Sequence, residues 1–169
     1  MNIHNKELIQ LGTALSLIFG VAMGGCSSKK ATTDESSISS PTTAISEESL
    51  GDSDSDKAMG LQTIHFAFDS FVLDSEAKNL LKANAQILKD KSSVKIQVEG
   101  HCDQRGGIQY NIALGEKRAV VAKKYLEDQG IAGDRISTIS YGKERLLENA
   151  MTESAFAKNR RANFVITSR

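Results

Sequence analysis

The stretch VEGHCDQRGGIQYNIALGEKRA, residues 98–119, decides the fold, because it joins a strand to a long helix through a loop of charged residues and glycines. Ahead of it Val94, Ile96 and Val98 alternate with Lys95, Gln97 and Glu99. A period of two places one face in a core and the other in water. The strand ends at Gly100. His101, Cys102, Asp103 and Arg105 follow, then Gly106 and Gly107, after which a helical pattern sets Leu114 and Arg118 one turn apart on one face. Charges of both signs therefore meet where a strand exits and a helix begins. Ligands bind at such places in α/β architectures, since strand carboxyl ends converge there with the unpaired N–H groups of a helix start.

Upstream, residues 63–68 (TIHFAF) alternate Ile64, Phe66 and Phe68 against His65 and Ala67, which predicts a first strand with three large inward side chains, ended by Asp69 and Ser70. Leu73, Ala77, Leu80, Leu81, Ala85, Ile87 and Leu88 then recur at helical spacing, with Asp74 and Glu76 in the first turn, where the helix dipole favours acid. Downstream, the spacing predicts a second helix over 108–128 that displays Ala113, Leu114, Val121, Ala122, Tyr125 and Leu126 and stops at Gly130. Residues 135–141 read as a third strand closing at Gly142, and 153–158 as a short helix. Ala162, Phe164 and Ile166 alternate against Asn163, Val165 and Thr167 as a last strand. The expected fold is α+β: a two-layer sandwich in the order β-α-β-α-β-(α)-β, whose mixed sheet carries its helices on one face and leaves the other wet.

A chain of 169 residues has room for one domain and a tail. Its 21 basic and 21 acidic residues cancel, which gives no support to a nucleic-acid partner. Two cysteines do not make a disulfide framework. Residues 1–25 read as an export signal: Lys6 near the start, an apolar run from Leu8 to Met23 interrupted by Gly12 and Gly20, and small residues ahead of Cys26. The alternative is a spanning helix, but the run is short for one and only Lys29 and Lys30 follow it as basic residues. Residues 26–60 turn to Ser, Thr, Asp, Glu and Ala, with Ile38, Ile45 and Leu50 too sparse to build a core. They are expected to form a disordered tether, leaving residues 61–169 as the folded domain.

The adjacent His101 and Cys102 invite an enzyme reading. Neighbours in a strand point to opposite faces, however, and no second histidine lies near, His65 being on another strand and His4 in the signal. No catalytic residue, metal or cofactor is therefore assigned, and Cys102 is read as a small, partly buried side chain. A binding reading gathers Asp69, Asp103, Arg105 and Arg118 where strands one and two end and helix two begins, provided those strands are neighbours. A carboxylate there holds an ammonium group, and an arginine grips a carboxylate through two parallel hydrogen bonds. Together they suit an amino acid carrying both charges, with Leu114 and Phe68 as an apolar wall. Spacing alone equally allows these charges to pair with one another at the surface.

GHCDQRG, YNIALGEKRA, SYGKE and NRRA, in this order after FDS, resemble the peptidoglycan-associated lipoprotein branch of the OmpA-like C-terminal domain family across residues 64–166. Gly24-Gly25-Cys26 resembles the lipobox of bacterial lipoproteins, with Met23 in the place usually held by leucine. The resemblance implies non-covalent binding of peptidoglycan through the meso-diaminopimelate of its stem peptide. Asp103 would take the ligand's ammonium and Arg118 its carboxylate, with Phe68, Asp69, Arg105 and Leu114 lining the pocket. Gly100, His101, Cys102, Gly106 and Asn111 would support the loop, and Arg160 and Arg161 would be structural or peripheral.

It also implies acylation at Cys26, sorting to the outer membrane with Ser27 after the cysteine, and a periplasmic domain that performs no chemistry. The implied partners are a TolB-like propeller protein and the Tol system. The alternative is an OmpA-like domain of another envelope or motor component, held by an uncleaved N-terminal helix. Departures from the family pattern are Cys102 for threonine, Gln109 for glutamate and Leu146 for proline. Only the first stands where a hydrogen bond to the loop or ligand would change.

Overall fold

Apolar residues three and four apart build the first helix, α1 (Ser75–Asp90), which buries Ala77, Leu81, Ala85 and Leu88. Asp74 caps it, its carboxylate accepting from the Ala77 N–H at 2.8 Å. This is a computed structural model, and residues 50–169 are described. The export signal, Cys26 and the tether as far as residue 49 lie outside the described residues.

The second helix, α2 (Ile108–Asp128), buries Leu114, Ala119, Ala122 and Leu126. Gly130 stops it at φ 93°, a conformation that favours glycine. Ala113, expected on the packed face, is exposed. Four strands, β1 (Ile64–His65), β2 (Lys95–His101), β3 (Ile136–Gly142) and β4 (Arg161–Ser168), form one sheet in the order β1-β4-β2-β3. β4 runs antiparallel to both β1 and β2, while β2 and β3 are parallel. A short helix, α3 (Glu153–Asn159), leads directly into β4.

Ile64, Phe66, Ile96, Val98, Phe164 and Ile166 of the sheet side share one core with Leu81 and Leu88 of α1 and Ala122 and Leu126 of α2. Both long helices therefore cover the same face, as expected. The tightest joint is Gly100 against Gly115, where a Cβ on Gly100 would lie 1.8 Å from the Gly115 carbonyl oxygen. β2 and α2 thus meet backbone to backbone, which seats the start of α2 against the end of β2.

Three expectations need correction. The first strand does not run to Phe68: the chain turns there, Asp69 adopts φ 52°, and Phe68 is 61 % exposed. Only Ile64 and Phe66 face inward. Second, strands one and two are not neighbours, because β2 has β3 on one side and β4 on the other and leaves no edge for β1.

Third, the face away from the helices is wet only in part: Lys95, Ser137 and Thr167 are exposed, but Glu99, Asn163 and Val165 are buried. Residues 52–54 lie over that buried part, whereas Ala58 and Leu61 join the core on the helix side and Gln62 bonds to Asn84 of α1. Asn163 Oδ1 accepts from the Ser53 N–H at 3.1 Å and from Ser53 Oγ at 2.8 Å, while the Phe164 N–H donates to Ser53 Oγ at 2.9 Å. Arg161 pairs with Asp54 at 2.8 Å, and the Ile166 N–H donates to the Gly51 carbonyl at 2.9 Å. Residues 50–60, read as the end of a disordered tether, therefore satisfy the open edge of β4. The same serines and aspartates that signal disorder supply the hydrogen bonds that order them.

Candidate functional site

β1 and β2 point the same way and β4 the other, so the exits of β1 and β2, the entry of β4 and the first turns of α2 converge at one end of the sheet. They enclose a cavity of about 190 Å³ lined by Phe68, Asp69, Cys102, Asp103, Arg105, Gly106, Tyr110, Asn111, Leu114, Arg118 and Arg160. Six residues singled out in the sequence, Phe68, Asp69, Asp103, Arg105, Leu114 and Arg118, thus share one pocket.

Asp103 is buried, and its oxygens are filled by its own chain. Oδ1 accepts from the Arg105 backbone N–H and Nε, each at 3.1 Å, and Oδ2 from Arg105 Nη2 at 2.6 Å and Arg160 Nη1 at 3.3 Å. Four donors saturate a carboxylate. Burial alone would raise the Asp103 pKa, but the arginine hydrogen bonds outweigh it and hold the group below the usual carboxylate range. The Arg105 guanidinium carbon lies 4.2 Å from the ring centroid of Phe68 and 4.1 Å from that of Phe156, with Glu153 at 3.4 Å.

Arg118 is 0 % exposed, which changes its reading. Nε donates to the Ser70 carbonyl at 2.8 Å, Nη1 to the His101 carbonyl at 2.7 Å and to Cys102 Sγ at 3.4 Å, and Nη2 to the Ala67 carbonyl at 3.3 Å. Four of its five N–H groups are thereby engaged, leaving one on Nη2. A two-bonded grip on a ligand carboxylate is not available from this residue. Arg118 instead ties the exit of β1 to the exit of β2. Burial pulls its pKa below the ordinary value, yet an arginine so far above neutrality keeps its charge.

Asp69, in the left-handed conformation that aspartate tolerates, accepts a hydrogen bond from the Tyr110 hydroxyl. Asn111 Nδ2 donates to the carbonyls of Arg105 at 2.7 Å and Gly107 at 3.1 Å, while Lys143 Nζ donates to that of Gly106 at 2.7 Å. Cys102 is 1 % exposed rather than partly buried, its thiol donating to the Asn111 carbonyl at 3.4 Å, and burial pushes its pKa up. His101 stacks on Tyr141, centroids 5.6 Å apart, with Nε2 3.4 Å from Glu99. Neither ring nitrogen has a hydrogen-bond partner within the protein. The adjacent thiol and imidazole thus have separate surroundings and form no catalytic pair. Among the described residues, no group of three or more His, Cys, Asp or Glu is placed to hold a metal.

Two lining residues escaped the sequence reading. Arg160, taken as structural or peripheral, reaches Asp103 because β4 enters between β1 and β2, an order that spacing does not encode. Tyr110 was legible: Tyr110, Leu114 and Arg118 stand at intervals of four on one helical face. The lining carries three arginines against two aspartates around an apolar wall. Such a set suits a small ligand that brings both an anionic and a cationic group.

The profile of the OmpA family matches residues 65–160. The peptidoglycan-associated lipoprotein of Pasteurella multocida is 41 % identical over 100 residues, covering 59 % of this chain and 67 % of that protein. That of Pseudomonas aeruginosa is 35 % identical over 166 residues, covering 92 % of this chain and 96 % of its own. The crystal structure of the peptidoglycan-associated lipoprotein from Burkholderia pseudomallei superposes with a TM-score of 0.60 at 35 % identity, over 62 % of this chain and 88 % of that one.

Proposed function

Because the chain belongs to the OmpA family, in its peptidoglycan-associated lipoprotein branch, we propose that it is an outer-membrane lipoprotein whose periplasmic domain holds the cell wall without covalent attachment. The observation that carries this reading is the pocket, where both signs of charge and an apolar wall meet in a space the size of one amino-acid head group and stem. The ligand is the diaminopimelate of the stem peptide. Its ammonium faces Asp69 and Asp103, taking the place of an arginine donor at the latter, its aliphatic stem lies on Leu114 and Phe68, and the remaining Arg118 N–H meets its carboxylate. In this reading the pocket binds and does not transform its ligand, and the role is mechanical.

Acylation at Cys26 anchors the outer-membrane end, and two or more acyl chains make that anchor stable where one would be marginal. Residues 27–49 span the interval to the domain. By the same family likeness the domain associates with a TolB-like propeller protein and the Tol system, at a surface overlapping the wall-binding face.

The test is co-sedimentation of the full chain with purified sacculi. Wild type is expected to pellet and to be released by free meso-diaminopimelate, whereas Asp103→Asn stays in solution with unchanged far-UV circular dichroism. Losing one partner of a desolvated charge pair costs about 2–5 kcal/mol, enough to abolish weak retention. Equal pelleting of both proteins would refute the site. Incorporation of radioactive palmitate into wild type but not Cys26→Ser tests the anchor, and an unlabelled wild type would refute it.

A further inference from the structure

The pocket and the point where the chain enters the domain lie at opposite ends of one strand. Leu50 donates its N–H to the Ile166 carbonyl at 3.3 Å. Ile166 stands five positions beyond Arg161 in β4, so about 17 Å from the pocket end at ~3.3 Å per residue. From Leu50 the chain runs back along β4 towards the pocket, antiparallel to it. Ile166 bonds to Gly51, Val165 faces Asp52, and Asn163 Oδ1 accepts from the N–H groups of Ser53 and Asp54, each at 3.1 Å. The run ends on Arg161, whose Nε donates to Asp54 Oδ2 at 2.8 Å, and the adjoining Arg160 reaches Asp103 in the pocket.

We propose that residues 50–54 are a force-bearing clamp, which passes tension from the membrane anchor into β4 in shear, and so to the pocket. This rests on the reading of the pocket as the wall-binding site. With the wall holding the pocket, tension on the chain from Cys26 pulls Leu50 away from the pocket, along the axis of β4. The hydrogen bonds of an antiparallel pair stand perpendicular to its strands. They lie across such a pull, share it and fail together. Lifted away from β4 at the Leu50 end instead, the same bonds open one after another. Forced rupture follows the unfolding barrier, so the direction of pull changes it with no change in equilibrium stability. Two further grips back the joint. The Ser53 hydroxyl bonds to Asn163 Oδ1 at 2.8 Å and Thr63 Oγ1 at 2.7 Å and accepts the Phe164 N–H at 2.9 Å, and beyond it Ala58 is fixed in the core.

The experiment is single-molecule pulling of the unacylated full chain. One handle is on Cys26, since Cys102 is buried. The second is either on Gly107→Cys at the pocket end, where a Cβ meets nothing within 4 Å, or on Arg169→Cys. Arg169 lies beside Leu50, its Nη2 2.8 Å from the Leu50 carbonyl, so the first pair of handles shears the clamp and the second peels it. The sheared chain also carries Arg169→Ala, so that both chains lack this bond. Shear rupture is expected at a several-fold higher force than peeling. Ser53→Ala, which leaves the pocket lining untouched, should lower the shear force, with circular dichroism and pelleting on sacculi as in wild type.

Equal forces in the two directions, or an unchanged shear force in Ser53→Ala, would overturn the clamp and leave wall binding standing. Wild type that fails to pellet with sacculi would remove the load, and the role of the clamp with it, whatever the forces.

Discussion

Replacing Arg118 with methionine keeps most of the side-chain volume and deletes the guanidinium. The carbonyls of Ala67, Ser70 and His101 lose their donor at once. Hydrogen bonds to a charged group contribute about 1.5–3 kcal/mol each. Those from Ala67 and Ser70 are partly replaced by water, because Ala67 is exposed and Ser70 half-buried, whereas His101 is buried and its carbonyl stays orphaned. Relief of the burial that depresses the Arg118 pKa offsets part of the loss. The net cost is about 3 kcal/mol. Urea unfolding at neutral pH should show it as a lower midpoint with an unchanged slope, and amides of residues 67–72 should exchange faster in native conditions. A loss below about 1 kcal/mol with unaltered exchange would refute the claim that this arginine braces the two strand exits.

Gly100→Ala should cost at least about 1–3 kcal/mol, because its methyl would meet the Gly115 carbonyl oxygen at 1.8 Å. Gly107→Ala, with nothing within 4 Å of the new Cβ, is the control and should change the melting temperature little. Burial lowers the His101 pKa, so below about pH 6.5 the unfolded chain takes up a proton that the fold refuses. Stability is therefore full above that pH and falls as pH drops, by up to about 1.4 kcal/mol per pH unit for each such proton. His65, also lowered by burial, contributes its own share, so His101→Gln should flatten the slope in part, and an undiminished slope would contradict the assignment. In a Cys26→Ser chain, iodoacetamide should leave Cys102 unmodified in the native state and react rapidly in urea; fast native labelling would contradict its burial and raised pKa.

How much could be read from sequence followed from what each pattern reports. The span of α2 was legible to its end residues, since glycines bracket a long stretch of constant period. Alternation told which strand residues face the core but not which strands adjoin. The insertion of β4 between β1 and β2 was therefore invisible, and with it the reach of Arg160 into the pocket. Phe68 continues the alternation of Ile64 and Phe66 past the turn that takes it out of the core, and no pattern marks that the strand has stopped. Residues 50–60 were assigned to disorder because their apolar residues are too sparse to build a core, yet they are ordered by hydrogen bonds to β4 and Asn163, more than a hundred positions away, and by Ala58 in the core. The meeting of Asp103, Arg105 and Arg118 was visible. That Asp103 is saturated and Arg118 nearly so was not, since spacing cannot count hydrogen bonds.

The measurement that bears most directly on the account is a residue-resolved NMR titration of the full chain with soluble stem peptide carrying meso-diaminopimelate. Saturable shifts should centre on Phe68, Cys102, Asp103, Arg105 and Leu114 and be absent in Asp103→Asn. Shifts centred instead on the groove of His65, Asp74 and Glu76 between β1 and α1, or no shift at any concentration, would contradict it.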